Sequence, residues 1–295
     1  MDTLEGLNRK LDGAKDLKSV VRTMKAMAAS NLGQYEQAVS SLGDYYHNVV
    51  LGIIAYFKQE KINSIAKKKE SYLNKEKIIC AIVFGSDQGL VGQFNDSISD
   101  FASQSLNALK GEKEIWAIGE RISLLLSDKG FKTTKLYAVP NSVKAITPLI
   151  GQLLIKSQDQ SEAGRMREVY IFHNQPKMGS GYEAVFQRLL PLDEKWKHQI
   201  TEFHWPTNKS PQIAGGLRPT LLALINEYLF VSLFKACAES LATENSSRMI
   251  AMQRAEKNID ELLDELGHQF HSLRQSSIDE ELFDVISGFE ALKKK

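Results

Sequence analysis

The part of this chain whose residue types could do chemistry is a glycine-rich turn. Gly85-Ser86-Asp87-Gln88-Gly89-Leu90-Val91-Gly92 directly follows the apolar run Lys77–Phe84 and precedes a helical stretch. Open α/β sheets bind phosphates at such a position, because N–H groups at a helix N-terminus point at the anion. The spacing here matches no nucleotide fingerprint, and no lysine sits inside the loop. The chain carries no GxxxxGK[ST] either, so no phosphate cradle is expected. The reading adopted is a tight strand-to-helix turn that needs glycine for positive φ. Gly179-Ser180-Gly181 lacks a third glycine and does not open a helix, so it too reads as a turn.

Metal and nucleophile chemistry fare no better. The six histidines are scattered and form no HExxH. His268 and His271 stand three apart on a polar helix face, which reads as solvated surface. Cys80 and Cys237 are far apart and form no CxxC, which excludes a zinc ribbon or disulfide framework and fits a reducing cytoplasm. No catalytic, cofactor-binding or metal residue is therefore assigned. The net charge of +1 over 295 residues argues against a nucleic-acid binder. The opening MDTLEGLNRKLDG has no apolar h-region, so no signal peptide is expected, and no run of 18 apolar residues occurs. Membrane association is expected only through partners.

The elements around the loop are legible from periodicity. All seven prolines fall between Pro140 and Pro219. Proline inside a helix costs about 3 kcal/mol, so the proline-free ends permit long helices. Leu4, Leu7 and Leu11 begin a stripe continued by Leu17, Val21, Met24 and Ala28, then by Tyr35, Val39, Leu42, Tyr46, Val49 and Ile53. Alternating steps of three and four make a coiled-coil seam. Met252, Ala255, Ile259, Leu262 and Leu266 repeat the pattern near the other end, and Leu282, Val285, Phe289 and Leu292 resume it. Pro219 suits the first turn of that second helix. Matching the two seams antiparallel puts Met24 by Met249, with paired residue numbers summing to about 273, to within one helical turn.

The middle reads as α/β. Strands are expected at Lys77–Phe84, Glu114–Ile118, Thr133–Val139 and Glu168–His173, with helices near 95–109, 120–128 and 142–158. Strands alternating with helices imply a parallel sheet covered on both faces. The expected architecture is thus α/β: a long antiparallel two-helix coiled coil from the terminal segments plus a central Rossmann-like domain. Its parts are a helix over 1–57, a Lys-rich linker over 58–76, the α/β domain over 77–218 and a second helix over 219–295.

Three stretches resemble the F-type ATP synthase gamma-subunit family. Val21-Arg22-Thr23-Met24-Lys25-Ala26-Met27-Ala28-Ala29-Ser30 is similar to the family's N-terminal "KITKAM-MVAASK" segment, and Ser86–Gly92 to its "SDRGLCGG" loop. The strongest stretch runs Ala242-Thr243-Glu244-Asn245-Ser246-Ser247-Arg248-Met249-Ile250-Ala251-Met252, where the family reads "ASENASRMIAM". Arg274-Gln275-Ser276-Ser277-Ile278, Glu281-Leu282 and Ile286-Ser287-Gly288 follow in the family's order. Departures are Gln88 for a basic residue, Gln93 for a second glycine, Asp279 for a hydroxyl residue, and the Lys293-Lys294-Lys295 tail. They mark a divergent branch, such as an alternative bacterial F-type ATPase.

The resemblance implies a non-catalytic subunit: the central rotor shaft, coupling ion flow through a membrane ring to the nucleotide sites of an alpha/beta ring. It implies alpha, beta and epsilon subunits and the c-ring as partners, and a peripheral place on the cytoplasmic face of a bacterial cell membrane. It carries over Met24, Lys25, Arg248, Arg274 and Gln275 as coupling positions. Arginine there suits bidentate hydrogen bonds to acidic loops. The competing reading is an α/β ligand-binding protein, or an adaptor whose coiled-coil helices mediate assembly.

Overall fold

In a computed structural model, described over residues 3–59, 77–159, 166–177, 181–192, 196, 209 and 216–293, the elements run α1 (Leu4–Gln59), β1 (Lys77–Phe84), α2 (Phe94–Ala108), β2 (Glu112–Ile118), α3 (Glu120–Asp128), β3 (Thr133–Tyr137), α4 (Val143–Asp159), β4 (Met166–Pro176), β5 (Tyr182–Leu190) and α5 (Leu217–Lys293). The chain divides into two units. The first comprises Met1–Ala28 and Arg248–Lys295, the second Ala29–Ser247. Most of the expected linker, residues 60–76, lies outside the described residues.

The second unit is built on one sheet of order β3-β2-β1-β4-β5. β1 pairs parallel with β2 and β4, and β2 parallel with β3. Its central strand reads as one apolar run because both faces are covered. Ile79, Ala81 and Val83 pack with Ile98, Ala102 and Leu106 of α2 and with Ile122 and Leu126 of α3. Cys80, Ile82 and Phe84 face the other way, into a cluster with Val50 and Ile53 of α1, Ile146 and Ile150 of α4, and Tyr228 and Leu233 of α5. Both cysteines are free thiols buried in that second layer.

The strand missing from the sequence reading is β5, which pairs antiparallel with β4. Its residues Tyr182-Glu183-Ala184-Val185-Phe186-Gln187-Arg188 mix polar and apolar without strict alternation, and their exposure is mixed too. The turn reading of the Gly179–Gly181 segment holds at its described end. Gly181 has φ of 85° and its carbonyl accepts the Lys177 N–H at 3.1 Å.

Within the second unit α1 and α5 run antiparallel. Tyr45 Oη donates to the Glu227 carboxylate, and the Tyr46 and Tyr228 rings lie 6.0 Å apart. The residue numbers of those pairs sum to 272 and 274, at the expected register. α5 also contains an 18-residue window of mean hydropathy 1.6, apolar and long enough by composition to cross a membrane. Half of that window is buried inside the protein, as befits a core helix.

The first unit pairs the outer parts of the same two helices, and its seam departs from the one expected. Leu7, Ala14 and Ala28 of α1 are buried, as are Met252 and Leu266 of α5, but Leu17 and Leu262 are exposed. Lys18 and Leu263 take their places, both half-buried. A four-carbon lysine stem covers an apolar seam while its ammonium reaches outward, here to Asp260. The register shifts as well. Arg22 with Glu256, Lys25 with Glu256 and Lys18 with Asp260 give sums of 278, 281 and 278. Apolar seams stepping by threes and fours match nearly as well one turn along. The carboxylates select the register that seam-matching leaves open.

Candidate functional site

The glycine-rich loop sits at the carboxyl ends of β1 and β2, where an open sheet would bind a ligand. The chain fills that place with its own groups. Asp87 Oδ1 accepts the N–H of Glu120, the first residue of α3, at 3.1 Å. Its Oδ2 accepts the Val139 N–H at 3.0 Å. One carboxylate thus caps a helix and ties down the exit of β3. Asn95 Oδ1 accepts the Ser86 N–H at 3.0 Å, and Asn95 Nδ2 donates to Ser86 Oγ at 2.8 Å. Ser86 Oγ donates to the Gln88 carbonyl at 2.6 Å. The positive φ expected of the loop falls on Leu90, at 62°, and Gly92, at 59°. Gly85 is required for a different reason: a Cβ there would run into Ile122 of α3. Gly119 answers it from β2, with φ of 117° and an imagined Cβ only 2.6 Å from the Ser86 carbonyl oxygen. The loop is a structural knot of β1, α2, α3 and β3.

The five positions that the resemblance carries over for coupling all fall in the first unit. Met24 and Arg248 are half-buried, and Arg274 and Gln275 are exposed. Lys25 is half-buried, its ammonium held by Glu256 Oε2. Arg22 Nε donates to the other oxygen of the same carboxylate at 2.7 Å. The Lys25 and Arg22 hydrogen bonds pull the Glu256 carboxyl down to about 2, and Glu256 raises the Arg22 guanidinium in return. The structure does not bring the five positions together. Arg248 and Arg274 lie 26 positions apart on one helix, about 39 Å at 1.5 Å per residue. Of the five, only Lys25 contacts Glu256; Arg248 stands eight positions before Glu256 on α5, and Arg274 with Gln275 eighteen and nineteen positions after it.

Sequence reasoning missed Lys18, Arg22, Glu256 and Asp260. Their signal was present: Lys18, Arg22 and Lys25 step by four and three along the seam, and Glu256 and Asp260 step by four on the facing helix. Beyond the clasp, α5 exposes Ile278, Leu282, Phe283, Val285 and Ile286. That run is an apolar patch without a cover in the described residues, the mark of an interaction surface.

A protein-family model described as ATP synthase matches residues 3–292. The chain belongs to that family. Among curated relatives, the ATP synthase gamma chain of Sulfurihydrogenibium sp. is 27% identical over 303 residues, covering 97% of each chain. The ATP synthase gamma chain of Wolbachia pipientis is 26% identical, over 99% of this chain and all of the relative. Among solved structures, the rotor of the Euglena gracilis mitochondrial ATP synthase superposes with a TM-score of 0.61 over 93% of this chain and 98% of that one, at 13% identity. The central stalk of the Tetrahymena thermophila mitochondrial ATP synthase gives 0.55 at 20% identity, over 80% of this chain and 99% of that one. Those structural likenesses speak for the fold: two long terminal helices with a central α/β sheet.

Proposed function

We propose that this chain is the central rotor shaft of an F-type ATP synthase or ATPase, coupling ion flow through a membrane c-ring to the nucleotide sites of an alpha/beta ring. The observation that carries the reading is the family match over residues 3–292, on a chain whose two terminal helices pair antiparallel. In the proposal, segments 1–57 and 219–295 form the shaft and 58–76 a linker. Segment 77–218 forms the foot, meeting the epsilon subunit and the c-ring. The assembly is held peripherally, on the cytoplasmic face of a bacterial cell membrane.

The chain itself is non-catalytic in this reading. Asp87 caps the N-terminus of α3 beside the glycine-rich loop, and the loop itself carries no lysine and no nucleotide spacing, which supports leaving nucleotide chemistry to the ring. Work is transmitted by asymmetry: an antiparallel pair presents each catalytic subunit with a different face. A face shifts an open–closed equilibrium only by its differential contact energy, and about 5.5 kcal/mol takes it from 1:99 to 99:1. Met24, Lys25, Arg248, Arg274 and Gln275 are the proposed contacts. Lys25 works there as part of a clasp with Glu256 and Arg22 rather than as a lone cation. The apolar run Ile278–Ile286 suits a bearing that buries it.

The test is purification of the native complex through a tag on this chain, with identification of partners and assay of ATP hydrolysis. Co-purifying alpha and beta subunits with ATPase activity is the expected outcome. A chain that purifies without them, or whose removal leaves the ATPase of the ring coupled, would refute the rotor reading.

A further inference from the structure

We infer that the end of β4, at His173 and Asn174, is the joint that staples the sheet to α5, and that these residues position foot and shaft to turn as one body. The inference rests on the rotor reading above. His173 Nε2 lies 2.9 Å from Glu239 Oε2, both side chains nearly buried. The next residue makes the next link: the Asn174 carbonyl accepts the Thr243 hydroxyl at 3.3 Å. Glu239 and Thr243 stand four apart, one helical turn, on one face of α5. Consecutive strand residues therefore engage successive turns of the helix. The chain of bonds continues inward, because Asn174 Nδ2 donates to the Phe94 carbonyl at the start of α2, at 2.9 Å. Asn95 beside it ties the loop after β1.

A cleft of about 270 Å³ opens beside this staple, lined by Tyr46 of α1, Gln187 of β5, and Ser232, Lys235 and Glu239 of α5 with His173. The free energy of apolar burial is non-directional, although the packed cluster of sheet and α5 resists displacement by interdigitation. Hydrogen bonds are directional, failing beyond a few tenths of an ångström and a few tens of degrees. Torque is a sideways load of helix against sheet. Beside the cleft, the buried polar links add a directional resistance to that of the packed cluster. Lys235, 3.8 Å from Glu239, holds that carboxylate from the solvent side.

The test uses the complete complex in sealed vesicles, reading ATP hydrolysis beside ATP-driven ion uptake, with a pH dye and a sodium indicator in parallel. The variant His173→Leu/Glu239→Leu/Thr243→Val replaces both partners of the His173–Glu239 link by apolar groups, which folded proteins tolerate far better than loss of one partner, and withdraws the Thr243 hydroxyl from the Asn174 main-chain carbonyl. Hydrolysis is expected to persist, while turnovers without ion movement rise about five- to thirtyfold, the population change commanded by one to two net hydrogen bonds. The exchange variant His173→Glu/Glu239→His restores a link of the same kind and is expected to recover part of the loss. Ile98→Val, in the opposite layer of the sheet, lowers stability without touching the joint and should leave ions moved per ATP unchanged. Normal ions per ATP in the triple variant, or an equal loss in Ile98→Val, would overturn the inference. If the triple variant fails to assemble, Thr243→Val alone decides in the same assay: a loss in the same direction supports the joint, none refutes it. A wild-type complex that moves no ions would instead strike at the rotor reading.

Discussion

Replacing Asp87 by Ala tests whether the glycine-rich loop is a structural knot. The carboxylate accepts two backbone N–H groups, from Glu120 at 3.1 Å and Val139 at 3.0 Å. The first is a cap on α3, and removing a cap costs about 1 kcal/mol. The second is a charge-assisted bond in a partly buried setting, for which about 1.5 kcal/mol is the lower end of the usual range. Asp87→Ala should therefore destabilise the second unit by about 2–3 kcal/mol. Asp87→Asn keeps one acceptor and turns an amide toward the other donor, so it should lose about half as much or more. The assay is urea unfolding of the full chain, followed by tryptophan fluorescence with Trp196 and Trp205 replaced by Phe, so that the signal comes from Trp116, which is fully buried in the sheet. Gln88→Ala, at an exposed neighbouring position, is the control and should stay within about 0.5 kcal/mol. An Asp87→Ala midpoint indistinguishable from that control would refute the reasoning. Stoichiometric ATP binding to the unaltered chain would refute the turn reading from the other side, since the loop has no lysine and no nucleotide spacing.

The remaining predictions concern the first unit. Glu256 titrates near 2 when folded and near 4.5 in its ordinary state, so its contribution is complete above about 4.5 and is lost as pH falls toward 2. Far-ultraviolet circular dichroism on acidification should show a loss of helix across that window that Glu256→Gln flattens; an unchanged acid limb would count against the clasp. With Cys80 and Cys237 replaced by Ser, Met24→Cys should crosslink with Ala255→Cys in preference to Met249→Cys, since a disulfide needs Cα atoms within about 7 Å. The reverse preference would restore the register read from the seams. The isolated chain should self-associate in sedimentation, because Leu282, Phe283, Val285 and Ile286 stay exposed without a partner. Leu282→Ser/Phe283→Ser should shift it toward monomer, and a wild-type chain that stays monomeric when concentrated would speak against the tip as an interaction surface.

Much was legible in the residues alone, for physical reasons that are local. A proline-free run with threes-and-fours periodicity can do little but form a long helix, and α1 and α5 follow. The run Ile78-Ile79-Cys80-Ala81-Ile82-Val83 has no polar face, so it had to be a strand covered twice. The missing lysine and glycine spacing already spoke for a turn after it. Tertiary structure alone decided what depends on non-local partners. β5 carries no strict alternation, and becomes a strand through its ladder with β4. Leu17 and Lys18 are equivalent by periodicity; which one enters the seam was settled by Asp260 on the facing helix. Asp87 reads as a loop carboxylate until β2 and β3 bring Glu120 and Val139 to it. Period and composition are set by neighbours within a turn or two, whereas register and capping are set by charges more than thirty residues away that only the fold brings within reach.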